Sequence, residues 1–175
     1  MTFKLVSVSR LDPIKNIEDV LLVVKKLVDE GYSISYSIVG DGKHRDVLER
    51  IVEQLHIKVS FEGYQNNPYP FLLNGDLFVL NSFSEGFSNS LIEAMFSGTP
   101  SLSTKVGAAD EIIEDGINGW LINPADKEEL YTKIKHIIAL SEKKRREIGC
   151  RGKEVAQNYS LEKHIQQLMV LYGKN

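Results

Sequence analysis

Hydrophobic positions along the chain alternate between two spacings. Short apolar or every-other-residue runs mark strands, and between them apolar residues recur at three- and four-residue intervals, as on one face of a helix. Residues 3–9, Phe3-Lys4-Leu5-Val6-Ser7-Val8-Ser9, read as a first strand, and Ile17, Val20, Leu21, Val24, Leu27 and Val28 as a helix ended by Gly31. A second strand is predicted over 33–39, and the Gly40-Asp41-Gly42 turn leads to a helix with Leu48, Ile51, Val52 and Leu55 on one face. A third strand over 57–61 ends at Gly63-Tyr64, and a short helix is predicted over 69–73. The uninterrupted run Leu77-Phe78-Val79-Leu80 reads as a buried parallel strand, followed by a loop over 81–86 and a helix over 88–97 closed by Gly98 and Pro100. Two more short strands are predicted over 101–103 and 120–122, and Leu161, Ile165, Leu168, Met169 and Tyr172 define an amphipathic C-terminal helix. About six strands with intervening helices imply an α/β, Rossmann-like, doubly wound parallel sheet forming a single domain over residues 1–175.

Composition narrows the function classes. With 42% hydrophobic and 26% charged residues, the chain is long enough to bury a full core. A net charge of −3 argues against a general nucleic-acid binder, although a local basic crevice could still hold a phosphate. No stretch approaches the ~20 apolar residues that span a bilayer, and the N-terminus lacks the charged and hydrophobic regions of a secretion signal, so a location in the cytoplasm or at the inner face of the membrane is expected. The single Cys150 has no disulfide partner and no ligand-spaced neighbour. The four histidines, His44, His56, His136 and His164, show no triad pattern and read as structural or solvated. Gly40-Asp41-Gly42 lacks the third glycine of a dinucleotide fingerprint and reads as a generic turn that needs no ligand.

The candidate chemistry lies in Ser84-Glu85-Gly86-Phe87-Ser88-Asn89-Ser90-Leu91-Ile92-Glu93, directly after the predicted 77–80 strand. In an open α/β sheet ligands bind beyond the carboxyl ends of strands, where a helix N-terminus offers free amides to phosphate. Gly86 lets the backbone approach closely. Glu93 lies more than a turn into the helix, but helical side chains lean toward the N-terminus, so its carboxylate can reach the same crevice and accept both hydroxyls of a vicinal diol such as a ribose. Taken alone, Glu93 could equally be a solvated helix acid and Glu85 a partner of the helix dipole. Arg10 and Lys15 fall at the end of the first strand. Two converging cations can neutralise a leaving diphosphate, while a lone arginine and lysine in a loop are ordinarily solvated. No Asp-x-Asp pair occurs, so a metal-independent reaction without a cofactor is expected.

The segment from Asp76 through Pro100, with the later run Glu111-Ile112-Ile113-Glu114-Asp115-Gly116-Ile117-Asn118-Gly119-Trp120-Leu121-Ile122, closely resembles the family-four retaining glycosyltransferases of the GT-B fold. Their signature is two glutamates separated by seven residues. The resemblance implies that Glu85 faces the donor sugar, that Glu93 holds the nucleotide ribose, and that amides around Gly86, Phe87 and Ser88 receive the diphosphate together with Arg10 and Lys15. It places the loop Glu62-Gly63-Tyr64-Gln65 near the base, read largely through backbone groups, and implies a nucleoside diphosphate sugar donor, with UDP first among the candidates.

Two departures stand out. The family more often has Gly where this chain has Asn16, and Ala108 and Asp110 stand where a second Gly and a Pro are usual, which bears on sugar preference. The resemblance covers only the donor-binding, C-terminal half of such enzymes. The expectation is therefore that an N-terminal acceptor domain or partner subunit completes the site for a saccharide or lipid-linked acceptor, with any peripheral membrane contact made through that half. A noncatalytic nucleotide-sugar-binding or assembly module remains an alternative.

Overall fold

The computed structural model describes residues 2–159. Within them, β1 (Phe3–Val8), β2 (Ile34–Val39), β3 (Val59–Gly63), β4 (Leu77–Leu80), β5 (Ser101–Thr104) and β6 (Trp120–Ile122) form one parallel sheet in the order β3-β2-β1-β4-β5-β6. The expected doubly wound α/β sheet is the observed one. The helices are α1 (Ile17–Asp29), α2 (Arg45–Leu55), α3 (Tyr69–Leu73), α4 (Asn89–Ser97), α5 (Ala109–Ile112), α6 (Lys127–Ala139) and α7 (Glu142–Ala156). The amphipathic helix predicted over 161–172 lies outside the described residues.

Strand periodicity explains why continuous apolar runs suit this sheet. Successive side chains point to opposite faces, and both faces are covered. Leu5, Leu77 and Val79 enter one core with Val20, Leu21 and Val24 of α1 and Leu130, Ile134 and Ile137 of α6. Val6, Phe78 and Leu80 enter the other with Leu91, Ala94 and Met95 of α4. Chain order runs outward from β1 through β2 and β3 on one side, and from β4 through β5 and β6 on the other. The reversal falls between β1 and β4, whose carboxyl ends part to leave a crevice.

A buried polar relay crosses this centre. The Tyr36 hydroxyl donates to Ser7 Oγ at 2.8 Å, and Ser7 Oγ donates to the Val79 carbonyl at 2.6 Å, linking β2, β1 and β4. Burial pushes the Tyr36 phenol well above its ordinary range, so it stays protonated and remains a donor.

The third strand begins and ends two residues later than the sequence pattern places it. His56 caps α2 in a left-handed conformation, which leaves Ile57 and Lys58 as the strand's entry, and the pairing with β2 continues through an irregularity to Gly63. Helix α7 packs against α4 although its apolar signal is weak. It buries Ile148, Gly149, Gly152 and Ala156. A Cβ on Gly149 would lie 2.2 Å from the Gly98 carbonyl oxygen, so the bare α-carbon permits this approach.

Candidate active site

Two loops build the floor of the crevice. After β1 the chain runs through Arg10 into a 3₁₀ turn, Pro13–Lys15, capped by the Asp12 side chain, which accepts from the Ile14 amide. Asn16 follows with φ 47° and ψ 45°, a left-handed conformation for which glycine or asparagine is suited, so the replacement of the family's usual glycine is mild. Its side chain donates to Asp19 at 2.9 Å inside the first turn of α1. After β4 the chain passes through the buried Asn81 and Ser82 to Glu85. The loops are pinned together: the Phe83 amide donates to the Ile14 carbonyl at 2.8 Å, and Asn81 Nδ2 donates to the Asn16 carbonyl at 3.1 Å.

Lys15 and Glu85 meet across this junction. Lys15 Nζ lies 2.5 Å from Glu85 Oε1, and Ser82 Oγ donates to the same oxygen at 2.6 Å. The carbonyl of Ser82 in turn accepts from Thr104 Oγ1 at 2.8 Å, so β5 braces the loop. Arg10 is exposed and has no ion pair among the described residues.

Helix α4 begins at the crevice wall. Ser88 is its N-cap, with its side chain accepting from the Leu91 amide, and Gly98 closes it in a left-handed conformation. That cap leaves the first-turn amides of Asn89 and Ser90 at the wall, where the positive end of the helix dipole favours an anion. Glu93 projects from the same helix into the crevice. The residue is exposed, yet partial desolvation of its carboxyl disfavours the charged form and raises it above the ordinary value.

The resulting crevice has a volume of about 670 Å³. Arg10, Lys15, Tyr64, Glu85, Phe87, Ser88 and Glu93, all singled out in the sequence, line it. Gly63 and Gly86 are not among the residues that line it: the Gly63 carbonyl accepts from the Gly40 amide at 2.8 Å, and the exposed Gly86 has its carbonyl against Gly107. The generic reading of Gly40-Asp41-Gly42 needs correction, because Gly40 and Asp41 also line the crevice. Their place at the end of β2, beside β1, was the available signal. Among the described residues His44, His56 and His136 do not line the crevice, and His164 lies outside the described residues; His44 Nε2 lies 2.6 Å from Glu18 Oε1 and ties α2 to α1.

Two cations, three carboxylates and a helix N-terminus can together hold an anion at one end of a ligand and hydroxyls at the other. Comparisons with known proteins agree with that chemistry. Residues 1–155 match the family model described as glycosyl transferases group 1. The N-acetyl-alpha-D-glucosaminyl L-malate synthase of Bacillus anthracis is 31% identical over 171 residues, covering 96% of this chain and 44% of that protein. Among solved structures, Anabaena HepE in complex with UDP-glucose superposes with a TM-score of 0.88 at 25% identity, over 99% of this chain and 49% of that one. A mutant of Staphylococcus aureus TarM in complex with fondaparinux, alpha-GlcNAc-glycerol and UDP gives 0.86 at 27% identity, over 97% and 35%. The chain thus spans less than half the length of each of these relatives.

Proposed function

The chain belongs to the glycosyl transferases group 1, and from that membership we propose that its crevice is the donor site of a retaining glycosyltransferase. The donor is a nucleoside diphosphate sugar, with UDP as the preferred nucleotide, and the acceptor is a saccharide or a lipid-linked saccharide in polysaccharide or glycolipid synthesis. The observation that carries the reading is the convergence of Arg10, Lys15, Glu85, the α4 N-terminus and Glu93 on one crevice at the β1–β4 switch point. Similarity to proteins solved with UDP and UDP-glucose supports the nucleotide.

The groups divide the work by charge. Arg10, Lys15 and the amides around Gly86, Phe87 and Ser88, joined by those of Asn89 and Ser90 at the α4 N-terminus, receive the diphosphate and stabilise the charge that accumulates on it as the glycosidic bond breaks. The departing phosphate oxygen takes the proton of the incoming acceptor hydroxyl on the same face of the sugar, which retains the anomeric configuration. Glu85 stands beside the sugar and opposes the positive charge developing at the anomeric carbon. Glu93 accepts the ribose hydroxyls, and Tyr64 and Gln65 border the base. Charge neutralisation falls to these side chains and amides, without a metal.

The acceptor half of the enzyme is assigned to a further domain or a partner chain, in keeping with coverage of less than half of each relative. Among the described residues no helix is long and apolar enough to cross a membrane. We place the reaction in the cytoplasm or at the membrane's inner face. The test is ligand-observed NMR of the chain with UDP, GDP, ADP and TDP and their common sugar conjugates, repeated with Glu93→Ala. Selective binding of one base, weakened in the variant, is the expected result; a folded chain that binds none of them would overturn the assignment.

A further inference from the structure

We infer that Glu85 acts as an internal stand-in for the donor diphosphate: it holds the Lys15 ammonium, and an arriving nucleotide must take that cation away from it. This inference rests on the donor-site reading above.

The geometry carries the argument. Lys15 Nζ is 2.5 Å from Glu85 Oε1, and the two side chains are only 17% and 11% exposed, so the contact is shielded from the water and salt that weaken surface pairs. Arg10, by contrast, is exposed and unpaired among the described residues. The two cations of the crevice therefore differ: Arg10 is open to an arriving anion, while Lys15 is already committed. Because the Phe83–Ile14 and Asn81–Asn16 hydrogen bonds fix the two loops to each other, exchange does not require either backbone to move. Rotation of the flexible lysine stem is sufficient.

Ser82 gives the exchange a direction. It holds Glu85 Oε1 at 2.6 Å from within the core, so the carboxylate stays in place when Lys15 leaves. The departure frees acceptor capacity on Oε1 beside the position assigned to the sugar. Diphosphate capture and readiness of Glu85 for the sugar are thus one event. The Lys15–Glu85 pair keeps the acid neutralised, and a nucleotide without a sugar competes with Glu85 without gaining from it.

The test is calorimetric titration of UDP into the wild-type chain, Glu85→Gln, Lys15→Met and the double variant, with melting curves to verify folding. Glu85→Gln preserves shape and removes the competitor, so it is expected to bind UDP more tightly than wild type by a factor of about five, the size of an ordinary net hydrogen bond. That gain should vanish in the Lys15→Met background, because the lysine is no longer there to be released. Unchanged or weaker UDP binding by folded Glu85→Gln overturns the inference while leaving the donor site standing. A gain that persists without Lys15 also overturns it, since the effect would then be the general field of a carboxylate. Failure of UDP to bind the folded wild type and every variant overturns the donor-site reading and this inference with it.

Discussion

Gly107 lies so close to the Gly86 carbonyl that a Cβ built on it would stand 1.9 Å from that oxygen. Gly107 also has φ +57°. The loop after β5 therefore forms the back support of the Glu85–Gly86 peptide, and only a residue without a side chain can take that place. Gly107→Ala combines a left-handed alanine, costing about 1–2 kcal/mol, with a direct clash. The chain should melt roughly 2–8 °C lower, given about 2–4 °C per kcal/mol at this size. Displacement of the Glu85 loop should also weaken UDP-sugar binding, measured by calorimetry. Unchanged melting and binding together would mean that the loop shifts freely and does not position Glu85.

Glu93 is the cleanest probe of the ribose assignment, because it is exposed and makes no hydrogen bond to another element that folding depends on. Glu93→Ala should reduce UDP affinity by about 1.5–3 kcal/mol, the range for hydrogen bonds to a charged group, with little change in melting temperature. Equal affinity in the two proteins would remove its role.

The raised Glu93 carboxyl also sets a pH dependence. Partial desolvation disfavours the charged form, so the folded chain takes up this proton at a higher pH than an ordinary glutamate does. The folded state then binds more protons than the unfolded one in that window, and Glu93's own contribution to stability falls as pH rises through it. Nucleotide binding has the opposite sign, because the ribose hydroxyls need the ionised acceptor. UDP affinity should drop on acidification in wild type, beginning above the usual carboxylate range, and Glu93→Gln should lack that component. Titrations of both proteins across the acid range cancel the protonation of UDP itself. Identical pH profiles would count against the assignment.

The Tyr36–Ser7–Val79 relay predicts a stability effect beneath the crevice. Tyr36→Phe keeps the ring but removes the donor to Ser7 Oγ, in a region where Tyr36 is 1% and Ser7 5% exposed. A loss of about 1–2 kcal/mol is expected in urea unfolding, because one buried hydrogen bond goes unmade. Ser7 can still donate to Val79, so the variant should fold and retain UDP binding. A variant as stable as wild type would show that the bond contributes nothing net.

Most of this architecture was legible because strand pattern and motif coincide. The Leu77–Leu80 run placed a buried strand, and Ser88 and Gly98 placed the two ends of α4, so topology put Glu85 and Glu93 within reach of the crevice and the motif resemblance chose that reading over a solvated one. What escaped the pattern was long-range. Gly40 and Asp41 reach the crevice because β2 lies beside β1, a neighbour relation that a turn motif does not encode. Gly107 matters through a contact with a loop more than a strand away. Helix α7 buries mainly glycines and an alanine, whose small side chains give weak helical periodicity, and it reads as a charged run until α4 is seen against it.

Ser82 tests the sugar end of the site separately from the nucleotide end. Among the described residues its hydroxyl is the one fully buried donor to Glu85 Oε1, and its own carbonyl is held by Thr104. Ser82→Ala leaves every charge in place and frees the Glu85 carboxylate to turn on its stem. UDP meets Glu85 only as its competitor for Lys15, so loosening the carboxylate should leave UDP affinity unchanged or slightly higher. UDP-glucose, or whichever sugar nucleotide the chain selects, should lose about 1 kcal/mol or more, the order of a single positioning hydrogen bond. The discriminating quantity is the difference between the two losses, read by titrating both ligands into both proteins. Equal losses would mean that Ser82 supports the loop as a whole and that Glu85 has no separate relation to the sugar.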